Sequence, residues 1–117
     1  MKKEYVIVSG ISTPLEYWIG CNAQDNFDMI DEAKQTDVWF HVNNEPSGHV
    51  IACIPNDIKL DKKQLKKIII QGCVICKKYS KHKSSKNLEI VYTHVNNLVK
   101  TKQIGKVLLR ESKVYML

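Results

Sequence analysis

Residues 38–54 carry the pattern that most narrows what this chain can become. Val38-Trp39-Phe40-His41-Val42 and His49-Val50-Ile51-Ala52-Cys53-Ile54 are β-branched and aromatic runs, and the hexapeptide Asn43-Asn44-Glu45-Pro46-Ser47-Gly48 between them is rich in turn formers. Two such runs around such a loop read as a β-hairpin. Alternate side chains of a strand share a face, so Trp39 and His41 go together and Val38, Phe40 and Val42 lie opposite. Both runs are apolar on both faces. The hairpin therefore belongs at the centre of a sheet covered on two sides.

The rest of the chain supplies the cover. Asp61 is placed to cap a long helix from Lys62 to about Tyr79. Leu65, Ile68, Ile69, Gly72, Cys73, Cys76 and Tyr79 recur at three- and four-residue steps, and Lys62, Lys63, Lys66, Lys67, Lys77 and Lys78 flank them. This is a core-facing stripe with a basic outer surface. Gly72 costs such a helix about 1 kcal/mol against Ala, which points to close packing on the sheet. A weaker amphipathic pattern, with Phe27, Ile30 and Ala33 at three-residue steps, predicts a shorter helix over about 23–34. Its acids Asp28, Asp31 and Glu32 lie far in sequence from the basic half, so a polyanion is expected to avoid that face. Strands are predicted at Tyr5–Val8, Tyr17–Cys21, Leu88–Thr93, Val107–Leu109 and Val114–Met116. The reading is α+β: one domain over residues 1–117, with a mixed, mostly antiparallel sheet whose central hairpin (38–54) is packed by helix 62–79 and helix 23–34.

Charge is distributed unevenly along this chain of 117 residues. Residues 1–60 hold 4 Lys against 9 acids, net −5, and residues 61–117 hold 14 Lys and Arg against 3 acids, net +11, which together give the overall +6. A basic half concentrates polyanions, and nucleic acid is the commonest of these inside cells. Two clusters stand out. Lys77, Lys78, Lys81, His82, Lys83 and Lys86 are interleaved with Ser80, Ser84 and Ser85, and Lys100, Lys102, Lys106, Arg110 and Lys113 follow after a strand. Clustered cations beside small hydroxyl donors suit phosphate, so Lys77, Lys78, Lys81, Lys83, Lys86, Lys100, Lys102, Lys106 and Arg110 are the candidate nucleic-acid contacts. Tyr79 and Tyr92 add stacking if they are exposed. No spacing resembles a base-reading code.

Other chemistry is poorly supported. Cys73-x-x-Cys76 lacks the second knuckle that a tetrahedral zinc site needs, and it lies inside a helical pattern rather than at a helix N-terminus. Cys21, Cys53, Cys73 and Cys76 read as reduced, mostly buried thiols. His41 and His49 would need an orienting partner and a nucleophile to act as a catalytic pair, and no hydrolase, phosphate-loop or dinucleotide fingerprint occurs. Neither a catalytic residue, a metal nor a cofactor is expected. The absence of any apolar run near 18–20 residues and of a secretory leader points to a cytoplasmic protein without membrane partners. Two competing readings stay open: a protein-interaction module of the translation machinery, and a small hydrolase built on convergent His41 and His49.

Several segments together resemble a known family. Tyr17-Trp18-Ile19-Gly20-Cys21-Asn22, with Asn26 downstream, looks like its glycine-x-asparagine segment. Asp37-Val38-Trp39-Phe40-His41-Val42 resembles its Asp-[Ile/Val]-Trp-Phe-His-Val signature, and Gly48-His49-Val50 falls where the family has Gly-Ser-His-Val. Val91-Tyr92-Thr93, Val99-Lys100-Thr101-Lys102 and Ile104-Gly105-Lys106-Val107 continue the order. The chain is similar to the NFACT-R domain, the RNA-binding module of ribosome-quality-control NFACT proteins, and to short eukaryotic proteins built mainly around it. The resemblance implies a non-catalytic domain that binds structured RNA such as tRNA or rRNA, with DNA and the ribosome as further candidate partners. It marks Asn22, Trp39, His41, Gly48, His49 and Gly105, with Lys100 and Lys102, as motif positions. Ser47-Gly48 reverses the family's Gly-Ser order, and a Lys-Lys-Pro-like stretch is diluted to Lys100-Thr101-Lys102-Gln103. Nothing here corresponds to the N-terminal, helix-hairpin-helix and coiled-coil parts of full NFACT proteins, so ribosome bridging and tail elongation are not implied.

Overall fold

A computed structural model describes all 117 residues. Its strands are β1 (Lys2–Val6), β2 (Leu15–Ile19), β3 (Val38–Val42), β4 (Val50–Ala52), β5 (Glu89–His94), β6 (Leu98–Lys100), β7 (Val107–Leu109) and β8 (Lys113–Met116). Two helices, α1 (Ala23–Glu32) and α2 (Lys62–Lys78), and a 3₁₀ turn at Val95–Asn97 complete the fold. Six strands form one sheet in the order β1-β2-β4-β3-β5-β8, with every ladder antiparallel. The predicted hairpin is β3–β4, in register Val38↔Ala52 and Phe40↔Val50, and it occupies the middle of the sheet.

The alternation read from the hairpin decides the layers. Val38, Phe40, Val42, Tyr17, Val50 and Ile90 face α2, which contributes Ile68, Cys73, Ile75 and Cys76 to the larger core. Trp39, Ile51 and Val91 face the other way, where Met29 of α1 and Val95 complete a second cluster. Gly72 explains how closely α2 approaches. A Cβ at that position would lie 2.1 Å from Cζ of Phe40, so only glycine lets the helix seat on the ring. Asp61 caps the helix reciprocally: Gln64 N–H donates to Asp61 Oδ1 at 2.7 Å, and Asp61 N–H donates to Gln64 Oε1 at 3.0 Å. Tyr17 ties helix to sheet by donating its buried hydroxyl to the Ile68 carbonyl at 2.9 Å.

Several details depart from the sequence reading. The first strand is Lys2–Val6 rather than Tyr5–Val8, and Ile7 beyond it is exposed. Register with β2 sets this start, because Tyr5 lies opposite Glu16 and donates its hydroxyl to that carboxylate at 2.8 Å. A charged Lys2-Lys3-Glu4 segment on an edge strand also discourages further pairing. Helix α1 ends at Glu32. Of the four cysteines only Cys73 and Cys76 are buried, while Cys53 is half-buried and Cys21 is exposed. Finally, β6 and β7 leave the main sheet and pair only with each other, with Leu98, Val107 and Leu109 packed onto the Trp39 cluster.

Candidate nucleic-acid interface

An open cavity of about 1210 Å³ lies on the Trp39 side of the sheet, between the start of α1, the β3–β4 loop, the end of α2 and the β6–β7 turn. Asn22, Trp39, His41, Gly48, His49 and Gly105 all line it. They come from four separate stretches of chain, and close backbone approaches bring them together. A Cβ on Gly48 would sit 2.7 Å from the Gly20 carbonyl oxygen, and one on Gly20 would sit 1.9 Å from Asn26 Oδ1. Gly20 N–H in turn donates to the His49 carbonyl at 2.9 Å. Gly105, at φ +84, lets the β6–β7 turn press against Ala23 at the head of α1, where a Cβ would meet the alanine at 2.8 Å.

Three rings form the inner wall. The Trp39 and His41 rings are nearly parallel, with centroids 5.7 Å apart and planes 7° from coincidence. His49 stands edge-on to both, at 5.1 Å from Trp39 and 5.2 Å from His41. The imidazoles thus converge, as a hydrolytic reading requires, but their polar partners are wrong for it. His41 Nδ1 lies 2.6 Å from the Val42 carbonyl, which can only accept, so that nitrogen carries the proton. Ser47 Oγ accepts from Val42 N–H at 3.1 Å and donates to the Gly48 carbonyl at 3.2 Å, which commits that hydroxyl to holding the loop. Burial lowers the pKa of His41, opposed by backbone carbonyls of Val42 and Ser47. Burial, reinforced by His41 and opposed by the Gly105 backbone, pushes His49 down to about 3. Both rings are neutral near pH 7. Two buried atoms, Trp39 Nε1 and His49 Nδ1, have no hydrogen-bond partner, a condition that costs roughly 1–3 kcal/mol each.

The candidate cations divide among several places. Lys81 and Lys106 line the ring cavity and are exposed. Lys77, Lys78 and Lys83 border a second, shallower depression at the end of α2. Lys78 is paired with Glu4 at 3.2 Å. Lys100 bonds Asp31 of α1, with its ammonium 5.0 Å over the Phe27 ring. This corrects the expectation that the acids of α1 stand away from the basic half, because the β6–β7 hairpin folds back across that helix. Lys86, Lys102 and Arg110 are exposed and belong to neither depression. Tyr79 is exposed, lines the cavity and has the Lys2 and Lys78 ammonium groups over its ring, whereas Tyr92 is half-buried against Phe40.

Some site residues escaped sequence reasoning. Lys2 reaches the cavity only through the fold, where it joins Ser80, one of the hydroxyl donors expected beside the lysines. Asn26 is buried and its Oδ1 accepts from His49 N–H at 3.2 Å, which holds the histidine strand to α1. Its signal was its place four residues beyond Asn22. Asp37, quoted with the signature, serves structure instead: its buried carboxylate accepts from the backbone N–H groups of Lys34 at 2.9 Å and Ile54 at 2.8 Å, pinning the start of β3. No group of three or more His, Cys, Asp or Glu side chains converges in metal-binding geometry, and no helix is long and apolar enough to cross a membrane.

Known proteins share both sequence and fold with this chain. It is similar to coiled-coil domain-containing protein 25 of Danio rerio, 31% identical over 99 residues, which cover 83% of this chain and 47% of that protein. The Mus musculus protein of the same name is 31% identical over 100 residues, covering 77% and 43% respectively. The chain therefore spans less than half the length of these relatives. Among solved structures, the C-terminal part of the fibronectin/fibrinogen-binding protein from Streptococcus suis superimposes with a TM-score of 0.76 at 20% identity, covering 100% of this chain and 45% of that one, which establishes a common fold. Residues 12–112 match the family described as NFACT protein RNA binding domain, and the chain belongs to that family.

Proposed function

We propose that residues 1–117 act as one non-catalytic RNA-binding domain. The observation that carries this is the meeting of six of the eight motif positions, all but Lys100 and Lys102, with Lys81 and Lys106 on one cavity. Exposed lysines beside a polar, ring-lined wall suit a phosphate chain with its bases turned inward. Lys81, Lys106 and the adjacent Lys102 are the primary phosphate contacts. Lys83, Lys86, Lys77 and Arg110 extend the track, and Lys78 and Lys100 contribute after giving up Glu4 and Asp31. A non-catalytic role is supported by the commitment of His41 Nδ1 to the Val42 carbonyl and of the Ser47 hydroxyl to its loop. Structured RNA such as tRNA or rRNA, a cytoplasmic setting, and a place in translation or ribosome quality control are the finer parts of this reading.

The test is fluorescence anisotropy with labelled tRNA across a salt series. Engaging about 4 phosphates gives a log–log slope of roughly −3 to −4, with little sequence preference. The double substitution Lys81→Glu and Lys106→Glu should weaken binding of every RNA at least tenfold. Unchanged affinity would place the interface elsewhere. One observation favours a second reading. Leu108 and Ile104 are 60% and 54% exposed, and Val99 opposite Leu108 is also exposed, giving the β6–β7 hairpin an apolar outer face. A protein partner held there would associate with little dependence on salt.

A further inference from the structure

Phosphate binding by exposed lysines leaves the inner wall of the cavity unexplained. Backbone-directed contacts need neither rings nor buried polar atoms. Yet the wall is built from Trp39, His41 and His49, and both Trp39 and His49 are only 2% exposed while each keeps a nitrogen without a partner. The indole N–H is a donor only. In His49, Nδ1 is buried without a partner and donates or accepts according to the tautomer. A fixed donor and a nitrogen able to take either role therefore stand on adjacent rings whose centroids are 5.1 Å apart. Every nucleobase carries an acceptor beside an N–H on its pairing edge and offers a flat face for stacking.

We propose that this wall receives one unstacked nucleobase of the bound RNA, its face on His41 and its edge on Trp39 Nε1 and His49 Nδ1, with Lys81 and Lys106 on the flanking phosphates. This rests on the RNA-binding reading above and adds the group that occupies the cavity. Both nitrogens are covered in the free protein, and the turn at 101–106, which lines the same cavity, is the segment that a base displaces. Its strands pair only with each other, Leu98 and Leu109 anchor the open end of the hairpin and Val107 packs beside the turn, and Gly105 at the tip has φ +84 and lines the cavity with His49. A base enters by lifting that tip, and the two nitrogens then gain the partners they lack.

The experiment compares a 12-nucleotide uridine RNA with a ribose-phosphate chain of equal length lacking bases, at one salt concentration, with free uridine monophosphate as a competitor. The uridine RNA should bind about tenfold more tightly, as expected for one stacked base. In His41→Ala the ratio of the two affinities should fall to near one. Trp39→Phe, which keeps a ring and removes the N–H, should lower the ratio in part. Millimolar uridine monophosphate should compete weakly. Equal binding of the two chains by the unaltered protein, or a ratio unchanged in His41→Ala, overturns the inference and leaves RNA binding intact. Failure to bind either chain sinks the RNA-binding reading itself. Micromolar binding of uridine monophosphate with no gain from the chain assigns the cavity to a soluble nucleotide and also overturns it.

Discussion

His49 gives the cavity wall a measurable pH signature. The ordinary histidine value is near 6.5, and burial beside His41 pushes this one down to about 3. The unfolded chain therefore binds a proton as pH drops through 6.5, while the folded chain refuses it until about 3. Stability is fully present above 6.5, declines as pH falls below it, and levels off only near 3. Each pH unit in that window is worth about 1.36 kcal/mol, so the cost at about pH 5 is roughly 2 kcal/mol relative to about pH 8. His41 is lowered too and adds to the loss in the same direction. The carboxylates held below their usual range, Glu4, Glu16 and Asp25, titrate lower still and stay silent in this interval. Urea unfolding at about pH 8, 6.5 and 5, followed by tryptophan fluorescence, measures the effect. His49→Gln should be flatter than the unaltered protein by roughly 2 kcal/mol between the extremes. Only the slope matters, so any uniform loss of stability in the variant cancels. Identical slopes would show that His49 is not a buried neutral imidazole.

Two further expectations concern packing and thiols. Gly72→Ala gains about 1 kcal/mol of helix propensity but drives a methyl into the fully buried Phe40 ring, so overpacking of about 1–3 kcal/mol should dominate and lower the urea midpoint; a raised midpoint would mean the ring moves freely. Burial pushes both Cys73 and Cys76 up to about 12, so a thiol reagent at neutral pH should label exposed Cys21 at once and these two only on unfolding. Rapid labelling of the pair in the folded protein would contradict their place in the core.

Family membership and the physical pattern reached the same fold by different routes. The Asp-x-Trp-Phe-His signature mixes two tasks that a motif cannot separate. Asp37 clips backbone amides at the start of β3, Phe40 fills the core against Gly72, and Trp39 and His41 turn to the cavity. Strand alternation already assigned the last two to a common face. What it could not show was that His49, just before the neighbouring strand, would stand edge-on to them, or that Gly105, more than fifty residues away, would line the same cavity.

The hairpin, the capped basic helix and the stripe around Gly72 were legible because their causes are local: side-chain alternation, three-to-four periodicity and a reciprocal cap act over a few residues. The grouping of charges was not local. An acidic first half and a basic second half suggested separated surfaces, yet the sheet places β1 beside the end of α2 and lays the β6–β7 hairpin over α1, pairing Lys78 with Glu4 and Lys100 with Asp31. Which cations remain free beside the rings depends on chain path, because electrostatic partners are chosen by distance in space and the antiparallel pairing of distant strands sets that distance.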